Sequence, residues 1–90
     1  MAVEFVIEET LDLKGRGAFV FARPVVDQIS FRVVPGSTLG GVPVKPYVDM
    51  PRRLVPDGSP DLGCFQFELT DAADLRRVIT RALVLLEPGQ

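Results

Sequence analysis

Apolar and polar residues alternate along the first twenty-one positions of the chain. The apolar side chains fall mainly on odd positions: Val3, Phe5, Ile7, Leu11, Leu13, Phe19 and Phe21. Because successive side chains of a β-strand point to opposite faces, this period of two predicts two strands whose odd residues face a core. The stretch Lys14-Gly15-Arg16-Gly17 interrupts the pattern midway, and a short glycine-containing connection predicts a β-hairpin. We expect Gly15 and Gly17 to supply the positive φ angles of this turn while the odd face stays in register.

Four later segments are also predicted to be strands: 28–34, 42–50, 63–69 and the apolar run that follows Arg81. The segment "PGSTLGGVP" (35–43) has the composition of a loop, and 51–61 that of a long irregular connection. Pro43 and Pro46 lack an N–H donor, so we expect the strand that contains them to lie at a sheet edge or to carry a bulge.

The period changes after Thr70. Leu75, Val78, Ile79 and Ala82 follow the spacing i, i+3, i+4, i+7, which predicts a helix that begins near Asp71, with Asp71 as its N-cap. About six short strands and one helix suggest a barrel or a sandwich. We favour a closed antiparallel β-barrel, because closure removes the unpaired edges that a small sheet otherwise exposes.

Length and composition limit the classes of protein to which this chain can belong. Ninety residues predict a single domain, 1–90, and ten basic against twelve acidic residues give a formal charge of −2. This charge provides no overall attraction to nucleic acid or to an anionic membrane. The sequence lacks an apolar run of membrane-spanning length and a signal-peptide pattern, and its single cysteine, Cys64, excludes an internal disulfide. We therefore expect a cytoplasmic protein.

The residues needed for catalysis are scarce. The chain contains no histidine, which excludes serine–histidine and cysteine–histidine nucleophiles and the commonest metal sites. Asp57 and Asp61 form a carboxylate pair, but they lie in a Pro/Gly-rich segment that cannot fix their spacing for acid–base chemistry. We expect no enzyme activity, no cofactor and no metal.

Three stretches, in order along the chain, resemble domain 2 of elongation factor Tu and related translational GTPases: "FVIEETLDLKGRGAFVFAR" (5–23), "VDMPRRL" (48–54) and "LLEPG" (85–89). In the first stretch, Ile7-Glu8-Glu9, Gly15-Arg16-Gly17 and Arg23 stand at the spacing of the family. The second is similar to a Val-Glu-Met-Phe-Arg-Lys-Leu segment, and the third to the closing strand and exit of the domain. The sequence departs from the family pattern at Ala22, where a glycine is usual, and at Pro51, where an aromatic residue is usual.

The resemblance implies a β-barrel of the translation-protein type and a helix of only one or two turns, near 71–79, before a closing strand. It also implies that the nucleotide-binding domain is absent. The glycine-rich segment "GSTLGG" (36–41) lacks the lysine of a phosphate-binding loop and does not lead into a predicted helix, so it is predicted to be a hairpin loop. We expect no nucleotide binding.

In the family, acids at the positions of Glu8, Glu9 and Asp49 help to form the face that holds the aminoacylated 3′ end of transfer RNA. The resemblance therefore makes these acids, together with Arg23, candidate residues for contact with RNA or a partner. Glu9 has structural interpretations as well, because it is the one charge on the apolar face. It can lie at a bulge, be exposed at the barrel rim, or pair with a cation such as Arg23 or Arg16.

Three more arginines are candidate contacts for phosphates or a protein partner: Arg16, Arg52 and Arg53. Their predicted positions, a hairpin tip and a loop, favour simple solvation, because loops are usually exposed. Two functions from different classes remain open. One is a non-catalytic binding module that contacts an RNA 3′ end, the ribosome or a partner protein. The other is a structural or oligomerising barrel that has lost RNA binding. The sequence leaves the oligomeric state open.

Overall fold

The computed structural model describes residues 2–26, 29–50, 54, 56–59 and 63–89. Within these residues the chain forms six strands: β1 (Val3–Leu13), β2 (Gly17–Pro24), β3 (Thr38–Leu39), β4 (Val42–Asp49), β5 (Phe65–Leu69) and β6 (Leu83–Glu87). They close into a barrel in the order β1-β2-β5-β4-β3-β6, and all the neighbouring pairs are antiparallel. The predicted all-β class and closed six-stranded antiparallel barrel are confirmed.

The core consists of the inward side chains of these strands. Phe5, Ile7, Val20 and Phe67 are almost completely buried. Phe5 makes edge-to-face contacts with Phe67 and with Phe31, at ring-centroid distances of 5.3 and 5.1 Å. These offset ring geometries are the favourable ones for aromatic pairs, so the aromatic cluster both fills and orders the barrel interior.

A β-bulge in β1 overturns the prediction that odd residues face inward on both arms of the hairpin. Ile7 pairs with Ala22, but the next pair is Glu9 with Phe21, so Glu8 is an extra residue on β1. Because the side-chain period is two, one extra residue reverses which positions face the core. Val20 and Ala22 are therefore fully buried, whereas Phe21 is only half-buried. Phe19 and Phe21 lie on the outer surface.

The predicted strand at 28–34 is wrong for its described part, 29–34, which forms no strand; Gln28 lies outside the described residues. Phe31 and Val33 pack against the core while Ser30 and Arg32 are exposed, so the alternation of burial is real. The alternation reflects an extended segment that packs against the barrel without pairing with a described strand. The segment ends where the backbone N–H of Val34 donates to Ser37 Oγ.

The sixth strand lies instead in the segment predicted to be a loop. β3 pairs with β4 through a hairpin whose tip is Gly40-Gly41, with φ of 62° and 82°. Positive φ at both central residues is the type I′ geometry that two-residue hairpins prefer. β3 is only two residues long, so it offers no alternating pattern from which a strand can be predicted.

Pro46 of β4 coincides with an irregularity, as predicted, whereas Pro43 lies in the regular pairing with Thr38. The pairing of β4 with β5 shifts between Val44 and Val48, which brackets Pro46. Proline removes a ladder hydrogen bond, and a bulge is one of the few places in a sheet where that loss is tolerated.

The helix is a single short 3₁₀ helix, Ala72–Arg77, which confirms the prediction of a short helix near 71–79. Asp71 caps it, because Oδ1 of Asp71 accepts a hydrogen bond from the Ala73 N–H. The predicted apolar stripe is only partly buried: Leu75 and Val78 pack against the core, but the side chain of Ile79 is 69% exposed. The helix ends at Arg77 and the backbone of Val78 is extended, so Ile79 lies beyond the helix and is not held on its apolar face.

Candidate binding face

The hairpin between β1 and β2 presents Arg16 at its exposed tip. Gly15 and Gly17, on either side, have φ of 81° and 116°, a region that favours glycine. The Leu13 carbonyl accepts a hydrogen bond from the Arg16 N–H and closes the turn. A Cβ atom at Gly17 would stand 2.9 Å from Oε2 of Glu68, so this position also allows a close approach of β5.

One row of cross-strand neighbours crosses four adjacent strands on the outside of the barrel. Glu9 on β1 pairs with Phe21 on β2, Phe21 pairs with Gln66 on β5, and Gln66 pairs with Asp49 on β4. Directly opposed residues point to the same face of a sheet, so all four side chains share the outer surface. We call the outer surface of β1, β2, β5 and β4 the candidate face.

Asp49 is exposed at the far end of this row from Glu9, which is also exposed. Three interstrand spacings separate the two carboxylates, or roughly 14 Å along the sheet. Phe21 and Gln66, both half-buried, occupy the positions between them. The fold therefore places two of the predicted acids in one row, with an aromatic ring and an amide between them.

The bulge brings Glu8 to Arg23. Nε of Arg23 lies 2.8 Å from Oε2 of Glu8, and both side chains are partly exposed. Arg23, one of the two cations considered as a partner for Glu9, thus forms an ion pair with Glu8, the residue next to Glu9. Glu9 itself lies beside the bulge and is exposed, which combines two of the structural interpretations of this residue. The candidates Arg52 and Arg53 lie outside the described residues.

A second polar group on the candidate face was not predicted. The Glu68 carboxylate on β5 is 2.7 Å from Nζ of Lys45 and accepts a hydrogen bond from the Tyr47 hydroxyl, both on β4. The irregular pairing of β4 lets two of its residues reach one residue of β5. The sequence carries no local signal for this cluster, because Glu68 lies more than twenty residues from Lys45 and Tyr47.

The contacts of Glu68 shift the pKa values of three side chains. Hydrogen bonds from Lys45 and then from Tyr47 hold the pKa of the Glu68 carboxyl below its usual range. The hydrogen bond to Glu68 raises the pKa of the Lys45 ammonium, and likewise raises the pKa of the Tyr47 hydroxyl. Glu68 is therefore a carboxylate, and its two partners stay protonated, over a wide range of pH.

Apolar groups adjoin the polar ones on this face. Leu11, Leu13 and Tyr47 are 41%, 39% and 44% exposed, and Phe19 is half-buried beside them. Leu11 pairs with Phe19, which in turn pairs with Glu68. The candidate face thus combines aromatic rings, leucines and carboxylates.

Two further features of the described residues lie away from the candidate face: a cavity and a hydrogen-bonded carboxylate. A cavity of about 200 Å³ lies between the barrel interior and the segment after the 3₁₀ helix. Its described lining is apolar apart from Arg77, whose Nη1 is 3.3 Å from Oδ1 of Asp74. Asp57 accepts hydrogen bonds from the N–H and the hydroxyl of Ser59, which lower the pKa of the Asp57 carboxyl; Asp61 lies outside the described residues.

The described part of the chain contains neither a metal-binding cluster nor a membrane-spanning helix. Its histidine, cysteine, aspartate and glutamate side chains form no group of three or more that could hold a metal ion. None of its helices has the length and apolar character needed to cross a membrane.

No protein-family model, curated protein or solved structure matches this chain. The relation to domain 2 of elongation factor Tu stays a prediction drawn from the three sequence stretches quoted above.

Proposed function

We propose that this chain is a non-catalytic binding module whose candidate face holds a single-stranded RNA 3′ end. The observation that carries the proposal is the row Glu9–Phe21–Gln66–Asp49 across four adjacent strands. The resemblance to domain 2 of the translational GTPases suggests the class of ligand.

The groups of this row suit an unstacked terminal nucleotide. Carboxylates accept hydrogen bonds from ribose hydroxyls and exocyclic amino groups, and the Gln66 amide both donates and accepts. Phe21 is half-buried and places an aromatic ring in this row. Bases stack on aromatic rings in many single-strand binding sites. Single-stranded RNA is recognised in this way, by stacking and base-edge contacts.

Two cations of the candidate face are already held by carboxylates. The guanidinium of Arg23 is held by Glu8, and Nζ of Lys45 by Glu68. The whole chain carries a formal charge of −2. We therefore expect binding to depend on the chemistry of the 3′ terminus and to weaken only modestly as salt is added.

A second candidate function is a structural barrel that has lost RNA binding. The Glu8–Arg23 ion pair favours it, because these two candidate residues satisfy each other within the barrel. A partner protein on the exposed leucines is a further outcome that the test below distinguishes.

The test uses two short single-stranded RNAs of one sequence, one with a stable 3′-aminoacyl amide and one with a 3′-phosphate. Fluorescence anisotropy measures their affinity for the wild type, Asp49→Asn and the control Glu87→Gln. Glu87 is an exposed acid on β6, outside the candidate face, and its variant changes the net charge equally. We expect the aminoacyl mimic to bind more tightly, with about a tenfold loss for Asp49→Asn alone, as for a hydrogen bond to a charged group.

Failure to bind either RNA at low salt would contradict the proposal and favour the structural barrel or a protein partner. Equal affinity for the two termini, or equal affinity of the two variants, would also contradict it.

A further inference from the structure

Among the residues that the structure describes, no strand lies beside the second half of β1 on the edge away from β2. β6 pairs with β1 only from Val3 to Val6. On the same side, the Ile7 N–H donates a hydrogen bond to the Ala82 carbonyl, and the Ile7 carbonyl accepts one from the Arg81 N–H. Beyond Ile7, none of the residues that the structure describes pairs with β1 on this side. An open edge of this kind is a template for another strand.

The backbone groups available at this edge are those of Thr10 and Asp12. The Leu13 carbonyl bonds to the Arg16 N–H inside the hairpin, so it points toward β2. Backbone groups alternate between the two sides of a strand, so those of Thr10 and Asp12 point away from β2. Two residues at alternate positions supply four donors and acceptors for an incoming strand.

We propose that this edge binds the same edge of a second copy of the chain, as an antiparallel contact between two β1 strands. Leu11 then lies opposite the partner's Leu11, and Thr10 opposite the partner's Asp12. In the same register Glu8 lies opposite the partner's Lys14. This inference goes beyond the proposed function and does not depend on it.

The charges along β1 select this register over its neighbours. The open backbone groups must face each other, so the alternatives are shifted by two residues in either direction. One shift places Asp12 opposite the partner's Asp12, and the other places Glu8 opposite the partner's Asp12. Like charges directly opposite each other are destabilising, whereas opposite charges and threonine hydrogen bonds stabilise a cross-strand pair. The register centred on Leu11 avoids both clashes and places the partner's Lys14 beside the Glu8–Arg23 ion pair.

The same register covers apolar surface. Leu11 and Leu13 are 41% and 39% exposed on the outer side of this edge. Pairing places Leu11 against the partner's Leu11, while Leu13 lies opposite the partner's Glu9 and diagonal to that leucine. The contact is short, so its area falls below that of a standard stable interface. We therefore expect a reversible dimer whose population rises with protein concentration.

Cysteine crosslinking tests the register directly. Leu11→Cys places two thiols at a non-hydrogen-bonded pair, where Cα atoms are about 4.5 Å apart and a disulfide can form. Leu13→Cys is the matched control, because Leu13 is about as exposed as Leu11. In this register, however, the two Leu13 positions are offset by four residues, roughly 14 Å along the strand. The native Cys64 is completely buried, so it contributes little background. Under mild oxidation we expect disulfide-linked dimers of Leu11→Cys to form at least tenfold faster than those of Leu13→Cys.

Analytical ultracentrifugation over a concentration series supplies the second measurement. Lys14→Glu places a glutamate opposite the partner's Glu8, and it does so twice because the contact is symmetric. We therefore expect the association constant of this variant to fall at least threefold relative to the wild type. Arg32→Glu reverses an exposed charge on a different segment and should leave association unchanged. A wild type that stays monomeric at millimolar concentration would overturn the proposal, as would equal crosslinking of the two cysteine variants.

Discussion

Glu9 on β1 lies directly opposite Phe21 on β2, one residue out of the register that Ile7 and Ala22 establish. This displacement turns the rings of Phe19 and Phe21 outward and sends Val20 into the core. The bulge therefore has two effects: it places aromatic rings on the candidate face, and it places Val20 in the barrel core.

The reversal of faces can be tested with two valines at even positions. Val6, before the bulge, lies on the outer side and is half-buried, whereas Val20, after it, is completely buried. Val20→Thr buries a hydroxyl and should lower the free energy of unfolding by about 1–3 kcal/mol. Val6→Thr should change it by less than about 0.5 kcal/mol. Urea denaturation measures both values, and similar losses for the two variants would contradict the bulge.

The turn glycines lead to a second prediction. Gly17 has φ of 116° and a neighbour, Oε2 of Glu68, only 2.9 Å from the site of a Cβ atom. Gly17→Val should cost at least about 1 kcal/mol of stability, because a branched side chain tolerates this conformation poorly. Arg16→Ala, at the exposed tip, should cost little. Thermal unfolding gives the comparison, and equal shifts in Tm would show that Gly17 is not constrained.

The Glu68 cluster predicts a pH dependence of stability. The folded-state pKa of Glu68 is depressed, so its contribution is present above the unfolded pKa of about 4.5 and is lost as the pH falls through the lower folded value. The pKa values of Lys45 and Tyr47 are raised in the folded state. Their contribution is present below about pH 10 and is lost as the pH rises through those raised values.

Glu68→Gln isolates this effect from the other carboxylates. Unfolding free energies at several pH values should show that the variant loses less stability than the wild type, both below pH 4.5 and above pH 10. The Tyr47 absorbance titration should also move toward lower pH in the variant, because the raised pKa depends on Glu68. Identical pH profiles for the two proteins would mean that the cluster does not form in solution.

The strand pattern was sufficient to predict the barrel, because most strands carry their own alternation and because a closed sheet removes edges. Glu9 showed where that pattern fails, since a charge on an apolar face implies a local irregularity. The pattern did not show that the faces reverse afterwards, because a one-residue shift is visible only in the pairing of Glu9 with Phe21.

Other features depend on contacts distant in sequence. Phe31 and Val33 alternate with polar residues as a strand does, and only the absence of a pairing partner in the described fold distinguishes them. The Lys45–Glu68–Tyr47 cluster requires the irregular register of β4 against β5. The open edge of β1 follows from where β6 stops, which no property of β1 itself reveals.

The last prediction concerns the Gly40-Gly41 turn that joins β3 to β4. Both glycines have positive φ, but a Cβ at Gly40 would lie 2.8 Å from Cγ1 of Val84, whereas one at Gly41 would meet nothing within 4 Å. Gly41→Ala should therefore cost only the backbone strain, about 1 kcal/mol, and Gly40→Ala clearly more. Val84→Ala removes the obstructing methyl groups, so the double variant with Gly40→Ala should lose less stability than the two single variants together. A double-mutant cycle by urea denaturation measures this coupling, with Gly41→Ala and Val84→Ala as the control cycle. Additive losses in both cycles would show that Val84 does not restrict the turn.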